Sequence, residues 1–316
     1  MTKRRFVLAM LGALLAALTG WYVVRNPESR RLDAQVRDSA GGSYATLSDG
    51  ITHYKVSGPA DGTPVVLVHG FSVPSYIWDS TAISLSAAGY RVLQYDLFGR
   101  GLSDRPDASY DVDFFDLQLM ELTEATGFSG SFHLMGLSFG GLVTGTFAGR
   151  HPDRVRSLTL MDPVAEDRGE LPWAFRLPFI GPLLWQALVV PTMAGGQMID
   201  FLEPGKWPDW IDRYQPQVQF RGFGRALRAS IQASAGIAMD SVYGAVGQQT
   251  MPVQLIWGAN DRTVPTELSS IVRAAIPRTE YHSIPGAAHL PHMERTDLVN
   301  PLLLNFLRAA DSAPSP

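Results

Sequence analysis

Three short stretches of the 316-residue chain carry residue types that together could transfer an acyl group. Ser138 lies in Gly136-Leu137-Ser138-Phe139-Gly140-Gly141, Asp261 in Gly258-Ala259-Asn260-Asp261-Arg262-Thr263-Val264-Pro265, and His289 in Gly286-Ala287-Ala288-His289. A serine hydroxyl is a poor nucleophile at neutral pH until an imidazole removes its proton. His289 is the expected base, and afterwards the acid that protonates the leaving group. Asp261 would hold the imidazole in the right tautomer and stabilise the imidazolium without taking the proton itself. Two residues compete for these roles: Asp162, at the end of the run Val155 to Met161, for the acid, and nearby His292 for the base.

The elements around these residues determine whether they can meet. The serine motif directly follows the apolar run Phe132 to Met135 and precedes a helical stretch from Leu142 to Arg150, which makes a strand, sharp turn, helix arrangement. Flanking glycines let backbones pass closely there, and the helix start favours developing negative charge. Asp261 follows the run Val253 to Trp257, and His289 follows Tyr281 to Ile284. Both therefore belong at the carboxyl ends of parallel strands, where open α/β sheets bind ligands.

Pro64 to Val68, Tyr90 to Tyr95 and Val155 to Met161 are further apolar runs bounded by turn residues, as expected of strands buried on both faces. Ile77 to Ala88, Phe114 to Thr126, Thr266 to Ala275 and Leu298 to Ala309 have helical length and spacing. The alternation predicts an α/β fold with a mostly parallel sheet flanked by helices. It fails once, over residues 164–250, which hold four of the seven tryptophans and many prolines and glycines. So long a segment needs helices of its own and reads as an inserted helical lid. The division expected is 1–25 anchor or signal segment, 26–45 linker, 46–163 and 251–311 catalytic core, and 164–250 lid.

Lys3, Arg4 and Arg5 precede an uncharged stretch from Phe6 to Val24. As a helix it would extend about 28 Å, close to a bilayer's hydrocarbon thickness. No small-residue cleavage site is evident through Thr19, Gly20, Trp21 and Tyr22, and the two aromatics suit a membrane interface. An uncleaved N-terminal membrane helix is the expectation, with secretion after signal cleavage as the alternative. Basic residues on both flanks balance; an inside N-terminus with the catalytic part periplasmic or extracellular is the orientation expected.

Composition closes other routes. Without cysteine, disulfide frameworks, thiolate metal sites and thiol nucleophiles are excluded. A net charge of −4 argues against nucleic acid as a partner. The seven histidines form no paired metal-binding motif and no phosphate-cradling loop is present, so neither metal nor cofactor is expected. Oligomeric state is left open.

From about Thr46 to Ala310 the chain resembles α/β-hydrolase-fold serine hydrolases of the lid-bearing esterase and lipase type. The motifs are the three above together with His69-Gly70-Phe71, the stretch Tyr95-Asp96-Leu97-Phe98-Gly99-Arg100-Gly101-Leu102-Ser103, and Leu290-Pro291-His292-Met293-Glu294. With its N-terminal segment, the chain is similar in architecture to membrane-anchored monoacylglycerol-lipase-like enzymes.

The resemblance implies an oxyanion hole made by the backbone amides of Phe71 and Phe139. It implies an acyl-enzyme mechanism without cofactor on a small hydrophobic ester such as an acylglycerol. His69, Asp96 and Ser103 would organise loops. Trp173, Phe175, Trp185, Trp207, Trp210 and Phe220 either line an acyl pocket or pack the lid. Serine at position 138 disfavours the dehalogenases and epoxide hydrolases of the fold, which place aspartate there. Two alternatives remain: carbon–carbon hydrolases of the meta-cleavage-product type, from whose pattern Leu137, Ala288 and Leu290 depart, and a non-catalytic member that binds a small ligand.

Overall fold

Successive residues of the run Val65 to Val68 point into different cores: Val65 and Leu67 into one, Val66 and Val68 into the other, all four fully buried. A strand alternates its faces, so a continuous apolar run is what a sheet covered on both sides requires. In a computed structural model, which describes residues 3–312 except Arg168, these residues belong to β3 (Pro64–Val68) of an eight-stranded sheet. The other strands are β1 (Ser43–Leu47), β2 (Gly50–Ser57), β4 (Arg91–Tyr95), β5 (Phe132–Leu137), β6 (Val155–Met161), β7 (Val253–Gly258) and β8 (Glu280–Ile284). Their order is β1-β2-β4-β3-β5-β6-β7-β8; β2 runs antiparallel to both neighbours and the remaining pairs are parallel.

Two helices precede the sheet, α1 (Lys3–Arg25) and α2 (Ala34–Ala40); α3 (Asp79–Ala87), α4 (Val112–Ala125) and α5 (Phe139–Arg150) connect its first strands. Between β6 and β7 lie α6 (Trp173–Arg176), α7 (Ile180–Leu184), α8 (Met193–Gly196), α9 (Trp210–Val218), α10 (Phe223–Ser234) and α11 (Met239–Gly247). The chain closes with α12 (Ser269–Ala275), α13 (Pro291–Glu294) and α14 (Thr296–Ser312). Helices α4, α5, α11 and α12 bury their apolar sides on one sheet face, through Phe115, Leu142, Tyr243 and Val272. Helices α3 and α14 cover the other, through Leu85 and Leu303. Tyr243 and Val246 of α11 thus belong to one of the sheet's cores, and α9 and α10 add Tyr214, Phe223 and Leu227 to the other.

The uncharged N-terminal stretch forms α1, but among the described residues no helix is long and apolar enough to cross a membrane. The side chains of Phe6, Ala9, Leu14 and Leu15, four of the expected membrane segment, lie outside the described residues. The expected linker after α1 differs from a free tether. Arg25 donates to the Ala187 carbonyl at 3.2 Å, and Gln186 donates to Asn26 Oδ1 at 2.8 Å. Glu28 accepts the amides of Gly222 and Gly224 at the start of α10, and Arg30 forms a bridge with Phe220. A carboxylate at a helix N-terminus satisfies otherwise orphaned amides, so this polar stretch is used to hold the insertion.

Candidate active site

Ser138 joins β5 to α5 with φ 54° and ψ −118°, a conformation costly for a residue with a side chain. Its amide donates to Met161 O at 2.9 Å, and its carbonyl accepts Gly141 N at 2.8 Å and Val164 N at 3.2 Å. The turn can be this tight because Gly136 and Gly140, two residues to either side, lack side chains. A Cβ on Gly140 would lie 2.4 Å from Val68 O and 2.5 Å from His69 O; one on Gly136 would lie 2.3 Å from Thr144 Oγ1.

Asp261 and His289 meet from the ends of β7 and β8. Nδ1 of His289 lies 2.7 Å from Asp261 Oδ2, with both side chains sealed from solvent. Asp261 Oδ1 accepts the amides of Thr263 at 2.8 Å and Val264 at 2.9 Å. Burial pushes the Asp261 carboxyl up, but the charge and hydrogen bond of His289 and the Val264 amide outweigh it and hold the group below its ordinary value. An anion fixed on Nδ1 leaves Nε2 as the proton-accepting atom.

Asp162 lies beside this pair: one donor atom from each of Asp162, Asp261 and His289 falls within 4.8 Å of the others. It is the one grouping among the described residues with spacing for a metal ion. It is Asp261, and not Asp162, that bonds the imidazole. Burial and then the Asp261 charge push the Asp162 carboxyl well above its ordinary value. His292 points elsewhere, with Nε2 bonded to Ile77 O at 3.0 Å and its ring beside Trp78; burial lowers it to about 3.

The loop after β3 abuts the serine: a Cβ on Gly70 would lie 3.3 Å from Ser138 Cβ. His69 braces it, accepting Leu97 N at Nε2 (2.9 Å) and donating from Nδ1 to Gly70 O (2.8 Å). Burial lowers His69 to about 4, consistent with a neutral strut. Arg100, fully buried, donates Nε to Phe71 O at 2.8 Å, and its other nitrogens bond Phe98 O and Ser230 Oγ. Its guanidinium lies over the rings of Phe71, Phe115 and Phe139, which compensates a buried cation. Phe139 opens α5, where helix amides lack intrahelical partners. Asp96 accepts the amides of Ser75 and Leu102 and bonds His53, and Ser103 bonds Asp96 O, so both organise the neighbouring loop.

Ser138, His289, Phe71 and Phe139 all line one cavity of about 460 Å³. Val73, Leu142 and Leu290 from the core and Leu171, Ile231 and Met239 from the insertion supply apolar walls; Glu166, Asp167, Glu170 and Asp200 also line it. None of the six insertion aromatics singled out in the sequence is part of this lining. Trp173 is 70% exposed, whereas Trp185, Trp210 and Phe220 are buried. Phe175 packs edge-on to Trp185, and Trp207 stacks on Phe201. Of the two readings left open for these rings, packing has a physical reason: large rings give short, irregular helices a core.

Two contacts across the insertion have no signature in sequence. The His289 amide donates to Asp200 O at 3.0 Å. Glu294 accepts Leu202 N at 2.6 Å and Ala288 N at 2.7 Å, tying the insertion to the histidine loop. The Glu294 of the motif after His289 was visible as a motif member; its partners were not.

A strand-elbow-helix serine, an acid and a base from later strand ends, and a β3 loop against the serine define a hydrolase architecture, and the chain belongs to the alpha/beta hydrolase fold family, whose profile matches residues 63–296. A protein of Variovorax paradoxus assigned as the carbamate hydrolase RutD is 31% identical over 270 residues, covering 83% of this chain and 97% of its own. Lipase 1 of Psychrobacter immobilis is 26% identical, covering 77% of this chain and 76% of its own. Among solved structures, a bacterial membrane phospholipase A superposes with a TM-score of 0.71 at 24% identity, covering 98% of this chain and all of its own.

Proposed function

We propose that the protein is a serine ester hydrolase acting on hydrophobic acyl esters through an acyl-enzyme. One observation carries this reading: Ser138, on a strained elbow, opens into the same cavity as a histidine whose Nδ1 is fixed by a buried carboxylate. In this account His289 takes the Ser138 proton as Oγ attacks the ester carbonyl, and the oxyanion is held by the amides of Phe71 and Phe139. His289 then protonates the leaving alcohol, and water, activated by the same imidazole, releases the acid.

The apolar lining and a volume near 460 Å³ suit a medium-length acyl chain, which the insertion covers as a lid. The lipase relative from Psychrobacter immobilis supports the ester reading, and acylglycerols are the substrate class proposed. The apolar walls favour a hydrophobic ester over a charged ring-fission acid, so carbon–carbon hydrolysis is the weaker alternative.

The N-terminal helix is proposed as a membrane anchor. Its uncharged part, Phe6 to Val24, would extend about 28 Å against a hydrocarbon core of about 30 Å. Carbonate extraction of membranes tests this: the protein should stay in the pellet, and release into the supernatant would contradict it. Protease added to intact cells or spheroplasts should cut the catalytic part if it lies outside.

The catalytic reading is tested with p-nitrophenyl esters of increasing acyl length and full-length protein in detergent. Hydrolysis that vanishes in Ser138→Ala is expected, with an optimum at intermediate length. Equal turnover by wild type and Ser138→Ala would contradict it.

A further inference from the structure

Asp162 is a buried carboxyl group that the proposed hydrolysis does not use. It directly follows β6 with φ 42°, a backbone strain that a residue with a side chain keeps only where its surroundings impose it. Its amide donates to Ile256 O at 2.9 Å, and its Oδ1 accepts Gly258 N at 2.8 Å, which aims the carboxyl across the end of β7. Oδ2 is sealed from solvent and receives no hydrogen bond from any amide or hydroxyl.

An ionised oxygen in that position would be doubly unfavourable, buried without a donor and beside the Asp261 anion. Asp261 has room for one more bond. A carboxylate offers about four lone-pair sites. The amides of Thr263 and Val264 take two on Oδ1, and His289 takes one on Oδ2.

We propose that Asp162 is a positioning residue that carries its proton at neutral pH and donates it as a hydrogen bond to the Asp261 carboxylate. The donated bond delocalises the Asp261 charge, fixes the carboxylate plane toward His289, and sets how strongly Asp261 favours the imidazolium. The titratable groups surrounding Asp162 agree with a neutral acid: Asp261 after β7 and Glu294 of α13 both oppose its ionisation, and the Gly258 amide offsets them only in part. His289 also lies close, with one nitrogen within 4.8 Å of a carboxylate oxygen of Asp162. The inference rests on the hydrolase reading for its consequence in catalysis, but its test does not need turnover.

The test is made on the free, full-length enzyme in detergent. Infrared difference spectra of wild type against Asp162→Asn at pH 7 should show the carbonyl stretch of a protonated carboxylic acid in wild type alone. In parallel, NMR of His289 follows its protonation. Asp162→Asn keeps a neutral donor and should leave the titration midpoint where it is. Asp162→Val removes the donor and should move the midpoint upward, because a less dispersed Asp261 charge holds the imidazolium more tightly. If Asp162 were instead an anion, Asp162→Asn would lower the midpoint by about one pH unit or more, and the infrared band would be missing. Either result overturns the proposal, as does a folded Asp162→Val enzyme with an unmoved midpoint. If the valine variant does not fold, the infrared band and the asparagine titration decide the matter alone. Failure of ester hydrolysis with these signatures intact would refute the function and leave the proton assignment standing.

Discussion

Arg100 Nε donates to the carbonyl of Phe71 at 2.8 Å, so the β3 loop that faces Ser138 is pinned by a fully buried cation. This contact connects a motif nearly thirty residues downstream to the residue whose amide is proposed to stabilise the oxyanion.

Replacing Arg100 by Met should therefore damage chemistry more than binding. The carbonyls of Phe71 and Phe98 lose their donors, each unpaired group costing about 1–3 kcal/mol of stability. Displacement of the Phe71 amide would raise the barrier by up to about 2.7–4 kcal/mol, the loss for one oxyanion donor. Steady-state kinetics should show kcat falling with KM little changed. A large rise in KM at unchanged kcat would contradict the assignment.

The insertion aromatics should behave as a core and the smaller residues as the substrate wall. Trp210, with its ring centroid 5.0 Å from Phe201 and 5.7 Å from Tyr76, should cost about 3–5 kcal/mol when truncated to Ala. Exposed Trp173 should cost no more than about 0.5 kcal/mol. Enlarging Ile231 or Met239 to Trp should instead shorten the preferred acyl chain. Melting temperatures and the chain-length profile check this, and an unmoved profile would place the acyl chain elsewhere.

Much of the site was legible because its residues sit at strand ends. Runs such as Val253 to Trp257 are apolar throughout, since both faces of β7 are covered, and the turn that follows them is where ligands meet an α/β sheet. Strands β1 and β2 were not individually legible. They form the exposed antiparallel edge, and the polar residues of Thr52-His53-Tyr54-Lys55 mask a strand that is only half buried. Nor could sequence show which face an aromatic of the insertion presents: short helices of four or five residues have no usable periodicity. The stretch from Asn26 to Arg31 reads as a tether because its residues are polar, yet Glu28 is spent on two backbone amides 194 and 196 residues away. Composition reports polarity and is silent on partners.

Acid sensitivity follows from the buried imidazoles. His69 and His292 are held neutral by burial, lowered to about 4 and about 3. Their unfolded value is near 6.5, so the unfolded chain takes up the protons first. Their contribution to stability is complete above about pH 6.5 and is lost as pH falls toward 4 and then 3. Raised Asp162 and Glu294 work in the opposite direction over part of this range, so the clean measurement is a difference. His292→Gln keeps a donor for the Ile77 carbonyl but has no proton to gain. Its unfolding free energy between pH 6.5 and 4 should fall less steeply than that of wild type, by about 1.4 kcal/mol per pH unit. Parallel curves would mean that His292 is protonated in the folded protein.

The most direct test of the central claim is covalent capture of the nucleophile. A long-chain alkyl phosphonate ester, which forms a stable adduct only with an activated serine, is incubated with full-length protein and located by mass spectrometry of the digest. The account predicts one adduct, on the peptide containing Ser138, formed far more slowly in His289→Ala and absent in Ser138→Ala. A folded wild-type protein that stays unmodified, or that is labelled at another residue, would contradict it.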